Sequence, residues 1–132
     1  MADTVVIVGT PGGLRVCGRP DFIALEGTAV RALTTSGTDI WALTGHNVIW
    51  RGSSAGPWRQ IANLDGYGGT CILSHSDWLL AGTSEAHLMR LSDGDVAAVP
   101  GFDALDQRRT WYTPWGGPPN VRSMAATDAG SV

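Results

Sequence analysis

The sequence predicts an all-β fold made of repeated sheets, each with four antiparallel strands. Helical periodicity is nearly absent, and the apolar runs are short segments bounded by Gly, Ser, Thr, Asp or Pro, as strands are. An apolar strand, a turn with Gly and Thr, and a second apolar strand recur in the segments that begin at Val5, Asp39 and Asp77. A period of about 36 residues with four strands per repeat is typical of β-propeller blades.

The phase of the repeat predicts the organisation of the chain. With strands A to D labelled from the propeller axis outward, the order is BCD, ABCD, ABCD, A, which is about three blade equivalents. The single partial propeller domain 1–132 then contains a blade remnant (1–28), a blade (29–66), a blade with a long loop at 103–120 (67–120), and the first strand of a further blade (121–132).

Three blades are too few to close a ring, because propellers have about four to eight. Either the chain is part of a longer polypeptide of about six blades, or identical chains associate. In the second case strand A of one chain joins strands B, C and D of another, and a dimer closes a six-bladed ring. Free strand edges promote such pairing, so we expect no stable monomer.

Composition and charge restrict the function classes. The chain is 43% hydrophobic with 18 Gly, which is typical of a packed, turn-rich domain. A net charge of −3 favours neither nucleic acid nor an anionic membrane as a partner. Without a signal peptide or a long apolar run, a cytoplasmic location is predicted, unless the chain is an excised piece. We expect no cofactor and no metal site, and we expect Cys17 and Cys71 to be buried free thiols.

The loop at 103–120 is longer than the other links between blades, and loops of this length are often functional. We predict a turn or two of helix at its start, near Phe102. Its aromatic residues could stack on a sugar or contact a protein, or they could pack on the loop itself. The loop's candidate ligand-binding residues are Trp111, Tyr112, Trp115, Arg108 and Arg109. The strand tryptophans are expected in the core between blades; they are Trp41, Trp50, Trp58 and Trp78.

Three further candidates follow from the geometry of a propeller, in which the B-to-C and D-to-A connections share one face. Arg31 and Arg122 occupy the same repeat position, in VRAL and VRSM at the start of strand A. They could clamp a carboxylate or another anion, or they could pair with an inter-blade Asp or with backbone carbonyls. The hairpin that contains His46 is expected on the same face.

The stretches LLAGTSEAHLMRLSDG and WGGPPNVRSMAATDAG resemble the BNR-repeat, or Asp-box, β-propellers, which are sialidase-like and include sortilin-type and xyloglucanase-type members. The family's box, S-x-D-x-G-x-T-W, lies in the C-to-D hairpin and is structural. RGSSAGPWRQI and LSDGDV match it in part, keeping Ser53, Gly56 and Trp58 in the first and Ser92, Asp93 and Gly94 in the second. The resemblance implies the propeller fold, but the catalytic residues of sialidases have no assigned match.

Two functions are therefore expected. The first is a non-catalytic scaffold that binds a carbohydrate or protein ligand; the alternative is a portion of a BNR-type glycoside hydrolase. Hydrolysis of a glycoside needs two carboxyl groups in one cleft. The acids predicted on the loop face are Glu85, Asp103 and Asp106.

Overall fold

The computed structural model describes residues 5–54, 56–75, 77–92, 95–114, 116 and 119–127. They form three antiparallel sheets of consecutive strands. Sheet 1 contains β1 (Ile7–Thr10), β2 (Gly13–Val16) and β3 (Arg19–Ala24). Sheet 2 contains β4 (Val30–Ser36), β5 (Asp39–Thr44), β6 (Val48–Gly52) and β7 (Arg59–Asn63). Sheet 3 contains β8 (Gly69–His75), β9 (Trp78–Thr83), β10 (Leu88–Ser92) and β11 (Asp95–Ala98). The all-β prediction and the BCD, ABCD, ABCD phase are confirmed.

Helical structure is confined to short turns. After β11 the chain forms α1 (Pro100–Asp103) and a 3-10 turn (Asp106–Thr110), which confirms the helical turns predicted at the start of the long loop. A second 3-10 turn, Ser84–Ala86, connects β9 to β10. Within the described ranges, none of the helices has the length and apolar character needed to cross a bilayer.

Two hydrophobic clusters fill the spaces between the sheets. Leu14, Ala24 and Ala42 belong to the cluster between sheets 1 and 2, and Leu43 and Ile72 belong to the cluster between sheets 2 and 3. Successive residues of β5 thus point to opposite sheets, as the pleat requires. Sheet 2 is covered on both faces, which is the stacked arrangement of propeller blades.

The start of strand A in one sheet lies against the end of strand B in the preceding sheet. A Cβ atom added to Gly9 would lie 2.8 Å from Cγ1 of Val30, and one added to Gly82 would lie 2.6 Å from Cγ1 of Val121. Any side chain larger than hydrogen at these two positions would collide with the neighbouring strand. The glycines therefore set how closely adjacent sheets can approach.

A threonine hydrogen bond closes strand B onto strand C in every sheet. The Oγ1 hydroxyls of Thr10, Thr44 and Thr83 donate to the carbonyl oxygens of Gly13, Val48 and His87, at 2.8, 3.5 and 3.2 Å. These bonds explain why Thr recurs at the end of strand B in the sequence repeat.

Residues 121–127, predicted as part of a further strand A, contain no strand in this chain. The start of the segment is held in place, where the Val121 N–H donates to the Thr83 carbonyl at 3.0 Å. The other two A strands pair with the B strand that follows them, and no such strand follows residue 127 among the described residues. The remainder of the prediction, 128–132, lies outside the described residues.

Two burial predictions were wrong. Trp78 is 43% exposed because it lies on the face of sheet 3 that no further sheet covers. Cys17 is also exposed, since it follows the end of β2 and lies outside the sheet, whereas Cys71 is buried and free as expected. Trp41, Trp50 and Trp58 do pack against the two clusters between sheets; all three are partly buried.

Candidate functional site

Backbone hydrogen bonds join the B-to-C hairpins to the D-to-A links on one face of the molecule, which we call the loop face. The Gly45 N–H donates to the Ala29 carbonyl at 3.0 Å, and the Ser84 N–H donates to the Gly68 carbonyl at 2.9 Å. The Gly69 N–H donates to the His46 carbonyl. The sequence placed these connections together, and the hydrogen bonds show how they are held.

Strand A begins with a bulge in both complete sheets. In sheet 2, Val30 faces Thr44 and Ala32 faces Leu43, so Arg31 has no cross-strand partner. Sheet 3 has the same irregularity between Gly69 and Cys71, which leaves Thr70 unpaired in the register. Bulges commonly redirect a side chain out of the pleat.

The bulge side chains meet at one cavity on the loop face. It has a volume of about 430 Å³ and we call it the strand-A cavity; its lining residues are Arg31, His46, Gly69, Thr70, Asn120 and Arg122. The structure therefore brings together three residues that the sequence singled out separately. Among the described residues that line the cavity there is no carboxylate, although the chain as a whole carries a net charge of −3.

The two arginines of this cavity carry free charge. Both side chains are exposed, and neither makes an ion pair or a hydrogen bond to any of the residues that the structure describes. The alternative role, pairing with an inter-blade Asp or with backbone carbonyls, is thus not what the described residues show. The site is available to an external anion.

Thr70 positions the second arginine. Its hydroxyl contacts the Gly82 carbonyl at 3.0 Å and also the Val121 carbonyl. The Cys71 thiol lies 3.3 Å from the same Val121 oxygen. Arg122 therefore follows a residue that is tied to β8 and β9, and its backbone is placed by sheet 3 even though it belongs to no strand.

Arg108, a predicted ligand-binding residue, is used to anchor the long loop. Its Nη2 and Nε atoms donate to the Ala86 carbonyl at 2.8 and 3.1 Å, and its Nη1 donates to the Asp103 carbonyl at 3.2 Å. The Asp103 carboxylate lies 3.9 Å from the guanidinium and 3.3 Å from Nδ1 of His87. These contacts tie the loop to the hairpin between β9 and β10.

The aromatic residues of the long loop have different environments. Trp111 is half-buried, with its ring 5.9 Å from that of Phe102, so this residue packs on the loop itself. Tyr112 is 77% exposed and is free to contact a partner. Trp115 lies outside the described residues, so the predicted aromatic platform is tested only in part.

A second cavity, of about 300 Å³, lies beside the long loop. Asp103 and Asp106 both line it, together with Arg108 and Arg109. The structure thus brings together two of the three candidate acids. Glu85 is exposed on the neighbouring 3-10 turn and is not among the residues that line this cavity.

A third cavity, of about 460 Å³, opens at the opposite end of sheets 2 and 3 and was not predicted. Asp39, Trp41, Arg51, Asp77 and Trp78 are among its lining residues. The sequence did contain a pattern that could have predicted this cavity, since the predicted strand B of both repeats begins with an Asp that is followed within two residues by a Trp. Arg51, the arginine of this cavity, is already neutralised, because its Nη2 atom lies 2.9 Å from Oδ2 of Asp39. We therefore regard this cavity as a weaker binding candidate than the strand-A cavity.

No protein-family model matches the chain, and no curated protein or solved structure matches it significantly. Membership of the BNR-repeat family therefore remains a prediction. In the part of the chain that the structure describes, no group of three or more His, Cys, Asp or Glu residues could hold a metal ion.

Proposed function

We propose that this chain is a non-catalytic, propeller-type binding module whose strand-A cavity binds an anionic group of a ligand. The observation that carries the proposal is the convergence of Arg31, His46 and Arg122 on one cavity, whose described lining residues include no carboxylate. An arginine can hold a carboxylate through two parallel hydrogen bonds, and two arginines can hold it from two directions.

The C-to-D hairpin of sheet 2 supports assignment to the BNR-repeat family. Oγ of Ser53 accepts a hydrogen bond from the Gly56 N–H at 2.8 Å. The Trp58 ring lies directly over Gly52, where a Cβ atom would collide with it. The retained positions of the Asp-box pattern thus stabilise this hairpin, which is the structural role that the family gives them. The related hairpin of sheet 3 includes Asp93 and Gly94, which lie outside the described residues.

The anion proposal can be tested by calorimetric titration with citrate, galacturonic acid oligomers and an acidic peptide, and with neutral xyloglucan oligosaccharides as the uncharged comparison. Arg31→Ala and Arg122→Ala should each weaken binding of an anionic probe by about tenfold or more, since a hydrogen bond to a charged group contributes roughly 1.5–3 kcal/mol. Binding should also weaken as salt is raised, because the site is exposed.

Arg109→Ala is the matched control, since Arg109 is an exposed arginine that lines the neighbouring cavity. It should leave the affinity for the anionic probe unchanged. Equal losses in all three variants would mean that only overall charge matters, and the proposed site would be rejected. Stronger binding of the neutral oligosaccharides than of the acidic ones would also reject it.

The shared cavity of Asp103 and Asp106 favours a second candidate, a portion of a glycoside hydrolase. Two carboxyl groups facing one cleft are the arrangement that hydrolysis needs. If this candidate is correct, Asp103→Asn and Asp106→Asn should abolish turnover of a glycoside while leaving its binding intact, and Glu85→Gln should have little effect. Absence of turnover on a panel of glycosides would leave the binding module as the only candidate.

A further inference from the structure

We infer that residues 121–127 of one copy of this chain pair with β1 of a second copy, as the innermost strand of its sheet 1. Two copies would then exchange strands and close a ring. This inference goes beyond anion binding and does not depend on it, because it rests on strand positions and on register alone.

The segment 121–127 has the sequence of a strand A. Its residues, VRSMAAT, align without a gap with VRALTTS, which is the whole of β4 (Val30–Ser36). Val121 lies against Gly82 as Val30 lies against Gly9, so the two segments also begin at equivalent positions in space. Among the described residues, β4 has a strand B to pair with, whereas residues 121–127 do not.

Sheet 1 has a strand edge that could receive this segment. Its strand order is β1-β2-β3, so within the part of the chain that the structure describes β1 pairs along one edge only. In sheets 2 and 3 the corresponding edge of strand B is occupied by β4 and β8. Unpaired edges of this kind accept an added strand readily.

The two complete sheets give the register of the missing pair. In sheet 2, Leu33 faces Ala42, and in sheet 3 the equivalent Ile72 faces Ala81. The B strands can be aligned by the threonine that ends each of them. The same register in sheet 1 then places Met124 opposite Val8. Ala126 then lies opposite Val6, and Arg122 becomes the bulge residue, as Arg31 is in β4.

The chain cannot make this pair with its own β1. Val121 is hydrogen-bonded to the end of β9, in sheet 3. β1 packs beside β4 on the far side of sheet 2, and β4 and β8 lie between the two positions. A second copy supplies both complementary parts, because the same sequence carries the strand-A segment and the strand-B edge that would receive it.

The uncovered faces of the end sheets agree with this partner. On sheet 1, the face turned away from sheet 2 exposes Val6, Val8 and Ile23, each at least 39% accessible. On sheet 3, the uncovered face exposes Trp78. Strand exchange would stack these two faces as neighbouring blades, so that both would be buried.

Exchange would also extend the strand-A cavity. The innermost strand next to Arg122 in the closed ring is the partner's β4, so Arg122 would lie near the partner subunit's Arg31. The closed ring would then have six bulge positions, and each copy would contribute Arg122, Arg31 and Thr70 to them. A ligand with several negative charges would contact residues from both copies.

The first test is the mass of the chain in solution, by light scattering after size-exclusion chromatography. We expect twice the chain mass of 13.9 kDa. A monomer across the micromolar range, or any assembly other than a dimer, would overturn the inference. Anion titrations on the same sample separate the two proposals, since a dimer that binds no anion removes only the proposed function.

Disulfide trapping tests the register. In a Cys17→Ser background, which removes the exposed thiol, Val8→Cys in one preparation and Met124→Cys in another should form a covalent dimer only after the two are mixed. Directly opposed residues in antiparallel strands have Cα atoms about 4.5–5.5 Å apart, within the range of a disulfide. Ala125→Cys in place of Met124→Cys is the control, because a shift of one residue turns the side chain to the other face. Equal trapping by both, or trapping by neither, would reject this register.

A proline variant tests the strand itself. Met124→Pro combined with Ala125→Pro removes two backbone donors and blocks pairing. Neither residue makes a hydrogen bond among the described residues, so the three sheets of each copy should still fold. We expect the apparent mass to fall by half while the β-sheet circular dichroism signal is retained. A variant that remains a dimer would contradict strand exchange.

Discussion

Sheet 2 and the two end sheets are built from the same kind of strand but differ in what covers them. Leu43, in strand B of sheet 2, is 0% exposed, whereas Val8, in strand B of sheet 1, is 41% exposed. The residue types are similar, but Leu43 packs against sheet 3 and its strand is paired along both edges, whereas β1 is paired along one edge among the described residues and Val8 faces away from sheet 2. Strand-B residues that face a neighbouring sheet, such as Leu43, are thus buried, whereas Val8 on the outer face of sheet 1 is exposed.

The largest expected effect tests this contrast between covered and uncovered faces. Leu43→Ala should lower the free energy of unfolding by about 2–5 kcal/mol, because it leaves a cavity between sheets 2 and 3. Ile23→Ala, on the uncovered face of sheet 1, should cost about 0.5 kcal/mol or less if that face stays open to solvent. Denaturant titrations measure both changes. A large cost for Ile23→Ala would show that a partner covers sheet 1 in solution.

The next effect concerns how closely adjacent sheets approach. Gly82→Ala should cost about 1–3 kcal/mol, since the new methyl group would lie 2.6 Å from Cγ1 of Val121 and 2.7 Å from Sγ of Cys71. Gly12→Ala is the control, because nothing lies within 4 Å of a Cβ atom there. Thermal unfolding of both variants gives the comparison. Equal stability would mean that Val121 does not occupy this position in solution.

A smaller effect is expected at a hydrogen bond through which a threonine side chain joins sheets 2 and 3. Oγ1 of Thr34 accepts the Ser74 N–H at 2.9 Å and so connects β4 to β8. Thr34→Val keeps the shape and leaves that N–H without its acceptor, which should cost on the order of 1 kcal/mol. Thr34→Ser keeps the hydroxyl and should recover most of the loss. If Thr34→Ser is as unstable as Thr34→Val, the methyl packing matters and the hydrogen bond does not.

The smallest effect depends on pH and concerns the junction at Val121. Burial raises the pKa of the Cys71 thiol above its usual value of 9.0. The thiol is protonated in both states below that value, so its contribution to stability is fully present there. Above about pH 9 the unfolded chain ionises first, and the free energy of unfolding should fall as pH rises. Cys71→Ala should flatten this slope, whereas Cys17→Ser should not; an unchanged slope in Cys71→Ala would contradict the assignment.

The strand order could be predicted because it depends on local patterns, such as the threonine that ends each strand B. The exposure of Trp78 could not be predicted, since its sequence context is that of a core strand and it lies at the start of β9, on the face turned away from sheet 2. Arg31 and Arg122 were recognised by their repeat position, but Thr70 was missed because it is uncharged. Arg108 was assigned to ligand binding from its position in the long loop. Its anchoring contact with the Ala86 carbonyl depends on the 3-10 turn Ser84–Ala86, which no sequence pattern predicted.

The junctions between sheets have a further consequence for the order in which the sheets can stack. At the junction of sheets 1 and 2 the glycine is in strand B (Gly9), but between sheets 2 and 3 it is in strand A, where a Cβ atom on Gly69 would lie 3.2 Å from Cδ1 of Leu43. A strand that begins with Val would collide with Leu43, and one that begins with Gly would leave a gap beside Gly9. Repeat proteins are prone to misassembly because their units are alike. Here the junction between sheets 2 and 3 differs from the two at Gly9 and Gly82, where strand B carries the glycine and a valine lies against it, so a strand that fits the one type does not fit the other.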